Sequence, residues 1–233
     1  MRYRILPAAA FAILALALIS CGRGANSNAN APGNAANSNT GAGNANSAQS
    51  SNTKSEIKNE NRPGGQQAKG LPADQKVPLP ADWVYYADEV KGYGFSLPEG
   101  STGENSTVDG MDIFEAKVPP PSDVQVEIYA WKDKTLTKQE LMDMTIEGRK
   151  NDGETVTLGK VLGEWDDYTA REATSVDRDG KKYKMTILVG TDITDNYVMV
   201  VYTEESKYEA NKDIVTKIWS NFEMYSGGAS GNS

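Results

Sequence analysis

"DVQVEIYAWKDKTLTKQELMDM", residues 123–144, changes its hydrophobic period partway along, and that change decides the fold class. Over the first half Val124, Val126, Ile128 and Ala130 alternate with Gln125, Glu127 and Tyr129, the two-residue period of a strand with one face buried. Thr137-Lys138-Gln139-Glu140 then has the spacing of a capping box, in which the Thr137 hydroxyl accepts from the amide three residues on and Glu140 reaches back. A helix therefore starts here. Leu141, Met142, Met144 and Ile146 supply its apolar face, and "NDG" ends it near Asn151.

Working outward, "DWVYYAD" (82–88), "GYGFSLPEG" (92–100) and "GMDIFEAKV" (110–118) read as strands before this helix, and Pro98 closes the second of them. After it come "ETVTLGKV" (154–161), "YTAREATSV" (168–176), "KYKMTILVG" (182–190) and "NYVMVVYT" (196–203). The link "DRDGKK" predicts a two-residue hairpin at Asp179-Gly180, where both positions tolerate positive φ, and Asp195-Asn196 is expected to turn the next one. Tyr208, Ile214, Val215, Ile218, Trp219 and Phe222 recur at helical spacing and predict a last amphipathic helix. Strands, helix, strands, helix is the order of an α+β domain: an antiparallel β-sheet with two main helices packed on it. That domain is expected over residues 81–225, with "SGGASGNS" (226–233) as a frayed tail.

Two segments carry a resemblance. "GYGFSLPEG" is similar to the opening of PsbP-like domains, and "IVTKIWSNFEMY" (214–225) resembles their terminal helix; Ser101 stands where that opening has tryptophan. The resemblance implies an α/β/α sandwich, and it implies a domain that acts by binding partners, as photosystem accessory subunits and DcrB-type periplasmic proteins do.

The amino terminus belongs to a different regime. "MRYR" is basic and the apolar run that follows to Ser20 is shorter than the roughly 20 residues a spanning helix needs, so residues 1–20 read as a signal peptide. Leu18-Ile19-Ser20-Cys21 resembles a bacterial lipobox. That resemblance implies that the Cys21 thiol takes a diacylglyceryl group, that cleavage falls before it, and that the new terminus is acylated. Two or more chains give stable anchoring where one is marginal. The expected location is the bacterial cell envelope, lipid-anchored, and Gly22 after the cysteine favours the outer membrane, facing the periplasm or the cell exterior.

Residues 21–80 are Asn, Ala, Ser and Gly first, then charged and Pro/Gly-rich, with too little apolar surface to offset ordering the chain. They read as a disordered linker whose span is on the order of 40–45 Å.

Composition excludes several chemistries. The chain has no histidine and Cys21 is its only cysteine, so a Ser-His-Asp triad, an internal disulfide and a Cys/His metal centre cannot form within it. The first 80 residues hold eight Lys/Arg and three Asp/Glu; the remainder, with 16 basic and 29 acidic residues, carries −13. Nucleic acid is not expected as a partner of so acidic a domain, and a basic one is favoured. No cofactor is called for.

Three acidic clusters remain. Glu164, Trp165, Asp166 and Asp167 in "GEWDDY" are the candidate ligand-contact residues, because carboxylates beside aromatics suit a saccharide cleft, although a solvated loop between two strands accounts for them as well. Asp177 and Asp179 read as hairpin residues, Asp192 and Asp195 as turn residues with oxygen ligands to spare for calcium. The sequence thus points to a monomeric, non-catalytic binding or accessory module for another envelope component. The alternatives are a carboxylate-dependent cell-wall glycan hydrolase and a calcium or small-ligand binder.

Overall fold

Strand alternation sets the layers of the molecule, since successive side chains of a strand must enter different environments. The computed structural model describes residues 55–57, 60, 68–132, 136–192 and 194–225; the predicted signal peptide, Cys21, the linker up to residue 54 and the tail from residue 226 lie outside the described residues. In chain order the elements are β1 (Ser55–Glu56), β2 (Ala68–Gly70), β3 (Trp83–Asp88), β4 (Tyr93–Pro98), β5 (Thr102–Val108), β6 (Met111–Lys117) and β7 (Gln125–Lys132). Then follow α1 (Lys138–Asn151), β8 (Thr155–Glu164), β9 (Tyr168–Val176), β10 (Lys182–Asp192), β11 (Asp195–Glu204), α2 (Tyr208–Ser220) and β12 (Glu223–Tyr225).

The strands form two antiparallel sheets, one of eight strands in the order β1-β5-β6-β7-β11-β10-β9-β8 and one of four in the order β2-β12-β4-β3. On the large sheet Met185, Ile187 and Val189 of β10 and Val198 and Val200 of β11 meet Leu141 and Met142 of α1. Their neighbours Leu188, Met199 and Val201, with Val126, Ile128 and Ala130 of β7, turn to the opposite face. There Val215 and Ile218 of α2 and Phe95, Leu97 and Met224 of the small sheet close over them. Each such fully buried side chain contributes about 1.5–3 kcal/mol. The expected α+β class with two helices on an antiparallel sheet is what the chain adopts; the second sheet is an addition, built where β12 returns the chain between β2 and β4.

Local expectations fare unevenly. The capping box forms as read: Glu140 N donates to Thr137 Oγ1 at 3.2 Å and Thr137 N to Glu140 Oε2 at 2.7 Å. The buried face of α1 is different, comprising Leu141, Met142, Thr145, Gly148 and Arg149, while Met144 and Ile146 are half-buried. Spacings of four and eight from Leu141 decide this, and they carry Thr145 and Arg149 inward. On the outward-alternating face of β7, Glu127 is consequently buried against Arg149 of α1, and Tyr129 packs on the same cluster.

Turn chemistry also shifts. Asp179 does not take positive φ; Asp177 N donates to Lys181 O, Gly180 alone is left-handed, and the loop is three residues long. The two-residue Asp-Gly turn of this fold is Asp109-Gly110, both at positive φ (49° and 82°), between Val108 and Met111 of β5 and β6. Asp192 pairs with Asp195, so both residues lie within the β10–β11 ladder, and Asn196 is a buried strand residue.

Residues 55–57, 60 and 68–80, expected to belong to a disordered linker, pack on the domain instead. Ser55 and Glu56 pair with Gly103 and Thr102 on the outer edge of β5, and the Ile57 side chain enters the core against Gly103, where a β-carbon would stand 3.1 Å from Ile57 Cδ1. Glu60 N then donates to Tyr85 O, and Ala87 N to Glu60 Oε2, on the outer edge of β3. Further on, β2 pairs with β12, Leu71 is buried, Lys69 Nζ reaches Asp192 Oδ1 at 2.7 Å, and Lys76 pairs with Glu223. The described residues of this segment strap the core between the sheets. Average composition hid it because two apolar anchors suffice when existing strand edges supply the hydrogen bonds.

Candidate functional site

Glu164 closes β8 and Tyr168 opens β9, so "GEWDDY" is the turn of the β8–β9 hairpin, with Trp165 N donating to Tyr168 O at 2.9 Å. The Trp165 ring lies against Tyr168, centroids 4.7 Å apart, and against Gly163, where a β-carbon would come within 1.6 Å of the indole. It packs on the edge of the core between the sheets. The two outer carboxylates turn to different lysines: Glu164 Oε1 lies 3.8 Å from Lys138 Nζ, and Asp167 Oδ1 lies 3.8 Å from Lys69 Nζ. Asp166 is exposed. The four candidate residues thus meet only as a turn, and none of them lines either cavity described below.

The other acidic pairs resolve similarly. Asp177 Oδ1 accepts from Asp179 N and Lys181 N, which makes it the organiser of its hairpin. Asp192 is buried and held by Lys69, an interaction that raises the lysine's pKa through hydrogen bonding to Asp192, against the lowering effect of burial. Among the described residues no three His, Cys, Asp or Glu side chains converge where a metal ion could sit. No helix among them is long and apolar enough to cross a membrane.

Two cavities of about 250 Å³ open on the surface. One has Thr157, Gly159 and Thr174 of the outer large sheet as its floor, beside Lys212 of α2, and Lys184 with its ammonium 4.7 Å above the Tyr208 ring. The other lies at the end of the large sheet beneath the β3–β4 turn, with Val90, Ala130, Lys132, Asp195 and Tyr197 in its walls. Burial raises the pKa of the Asp195 carboxyl from its ordinary value; Lys132 opposes that effect and Asp192 adds to it. In the sequence alone Asp195 reads as a turn residue. Only the register of β11, which sets Asp195 opposite Lys132 of β7, places it at this cavity.

No family model matches the chain, and no curated protein is similar to it in sequence. The solution structure of cyanobacterial PsbP (CyanoP) from Synechocystis sp. PCC 6803 superposes with a TM-score of 0.52 at 18% identity, covering 63% of this chain and 95% of that one. The fold is PsbP-like. A crystal structure from Bacteroides thetaiotaomicron VPI-5482 overlaps more loosely, at 15% identity and a TM-score of 0.37, covering 62% of this chain and 49% of that one. At 18% identity the likeness of the PsbP-like domain to CyanoP is one of fold, and side-chain chemistry has to be read from this chain.

Proposed function

We propose that this chain is a lipid-anchored protein of the bacterial cell envelope whose PsbP-like domain is a non-catalytic binding or accessory module for another envelope component. The observation that carries this reading is Cys21: the only thiol of 233 residues stands where an apolar run of signal-peptide length ends, in a lipobox-like setting. Support also comes from the candidate carboxylates. A glycosidase needs two of them facing one bond, about 5–9.5 Å apart. Glu164 and Asp167 are instead drawn to Lys138 and Lys69 on separate elements.

Acyl chains at Cys21 would confine the domain to a membrane surface, which raises its effective concentration towards membrane-bound partners. The net charge of −13 from Ala81 onward favours a basic partner surface. Metabolic labelling with a fatty-acid precursor tests the anchor: the chain takes up label and enters the detergent phase, and Cys21→Ser does neither. In-cell cross-linking of the labelled chain tests the module, which requires one abundant envelope protein in the cross-linked product. A Cys21→Ser chain that still carries label sinks the anchor, and an empty cross-linking result sinks the module.

A further inference from the structure

Asp195 Oδ1, on the first residue of β11, is closed off from solvent and hydrogen-bonded to nothing. A carboxylate oxygen in that condition costs free energy, and its persistence in a folded domain calls for a reason. Among the described residues the cation paired with it is the Lys132 ammonium at 3.9 Å, beyond hydrogen-bond distance, on a side chain that is 58% exposed.

The surroundings single Asp195 out. Ala130, Lys132, Asp195 and Tyr197 share one face of the β7–β11 pair and line the cavity beneath the β3–β4 turn. The Tyr197 hydroxyl is already used, donating to Lys91 O and Gly92 O and so fastening that turn as the roof. Asp112, the other carboxylate of the cavity, is engaged on both oxygens, by Thr107 Oγ1 and by the Lys91 ammonium. Val90 stands at the rim, 71% exposed, one of two large apolar side chains exposed among the described residues. A buried carboxylate oxygen without a hydrogen bond, an apolar rim and a cavity of about 250 Å³ therefore coincide.

We propose that this cavity seats one basic side chain, a lysine or an arginine, of a protein partner, with its charged head on Asp195 and its stem against Ala130 and Val90. Size argues for a single side chain, because sites that enclose whole cofactors or drug-sized ligands run to about 300–1,000 Å³. Charge argues for a cation: the acidic domain draws basic surfaces, and a hydrogen bond to a buried carboxylate is among the strong ones. Lys132 is the placeholder. Its long, exposed contact is cheap to give up, and it swings aside as the guest enters. The proposal rests on the binding-module reading and names the chemistry its partner presents.

The test is a titration of the isotope-labelled full chain with N-acetyl-arginine methylamide and, in parallel, its neutral isostere N-acetyl-citrulline methylamide, following backbone amide signals. Saturable shifts are expected at Ala130, Lys132, Asp195 and Tyr197 with the arginine probe, with a dissociation constant on the order of 1–10 mM. Citrulline should bind at least about tenfold more weakly. Asp195→Asn should abolish the response while leaving the remaining signals in place, and Lys132→Ala should strengthen it. Equal responses to both probes, a response that survives Asp195→Asn, a weaker response in Lys132→Ala, or no saturable shift would each overturn the proposal. The titration needs neither membrane nor partner, so its failure leaves the module reading standing, and cross-linking decides that reading separately.

Discussion

Arg149 Nη2 donates to Glu127 Oε2 at 2.6 Å across the interface between α1 and the large sheet, with both side chains less than a tenth exposed. Glu154 takes the other side of the guanidinium at 3.2 Å, and the Tyr129 and Tyr202 hydroxyls donate to Glu127 at 3.1 and 2.8 Å. Burial alone would lower the arginine's pKa; Glu127 and Glu154 reverse that and hold it above its usual value. Arg149 thus fixes which turn of α1 faces which strand. A buried pair of this kind is expensive to break and cheap to replace. Arg149→Leu should cost about 3–5 kcal/mol in urea unfolding, while Arg149→Leu combined with Glu127→Leu should recover most of the loss. A single substitution costing under about 1 kcal/mol would show that the pair does not hold the helix.

The strap makes a second prediction, because a linker and a structural strap respond oppositely to truncation. A chain beginning at residue 54 should melt with the full chain. One beginning at Ala81 loses Ile57 and Leu71 from the core and leaves Asp192 and Glu223 buried without Lys69 and Lys76. It should lose several kcal/mol or fail to fold. Ile57→Ala in the full chain isolates one anchor and should cost about 2 kcal/mol. Thermal melts of the three variants beside the full chain decide the matter.

What the sequence made legible follows from the same physics. Alternation in β7 and the Thr137–Glu140 cap are local signals, and both describe what forms. The strap, β5 and β12 carry no such signal. "TGENSTV" is almost wholly polar, and becomes β5 because the Asp109-Gly110 turn and the edge of β6 hold it in register. The inward Arg149 looks like a solvated lysine-type residue until Glu127 is placed across from it. At the candidate site the local signals are acidic turns, and they favour Glu164–Asp167 over Asp195. Proximity in sequence gathered the first group, whereas strand register, which spans over sixty residues between Lys132 and Asp195, isolates the second.

Tyrosine burial sets the alkaline limit of stability. Tyr86 is pushed up to about 12, by burial first, with Asn105 opposing and Asp88 adding to the shift. In the unfolded chain a tyrosine titrates near 10. Below pH 10 both states hold the proton and the contribution is complete. Between about 10 and 12 the unfolded chain releases its proton while the folded one keeps it, so stability falls, by about 2–3 kcal/mol at 1.36 kcal/mol per unit. Burial raises Tyr93, Tyr129 and Tyr202 as well, which steepens the fall. Urea midpoints measured against pH should drop steeply above 10, and Tyr86→Phe should flatten that limb.

Asp195 carries the opposite lesson, a group that weakens the fold at neutral pH. Its folded pKa lies above the unfolded value, first because of burial and further because of Asp192, with Lys132 only partly offsetting them. For a group raised in this way the favourable contribution is present below the unfolded pKa, about 3.9, and is lost as pH rises through the folded one. At pH 7 the ionised carboxylate is therefore a net cost. Asp195→Asn keeps the shape, removes the charge, and gives up only the long contact to Lys132. The variant should melt at a higher temperature than the parent at pH 7, and the difference should vanish towards pH 3, where the parent's carboxyl is protonated in both states. Equal melting temperatures at pH 7 would mean that Asp195 is not under strain. A higher one, together with lost arginine binding, would show a side chain kept in place at the expense of stability, as a binding residue is.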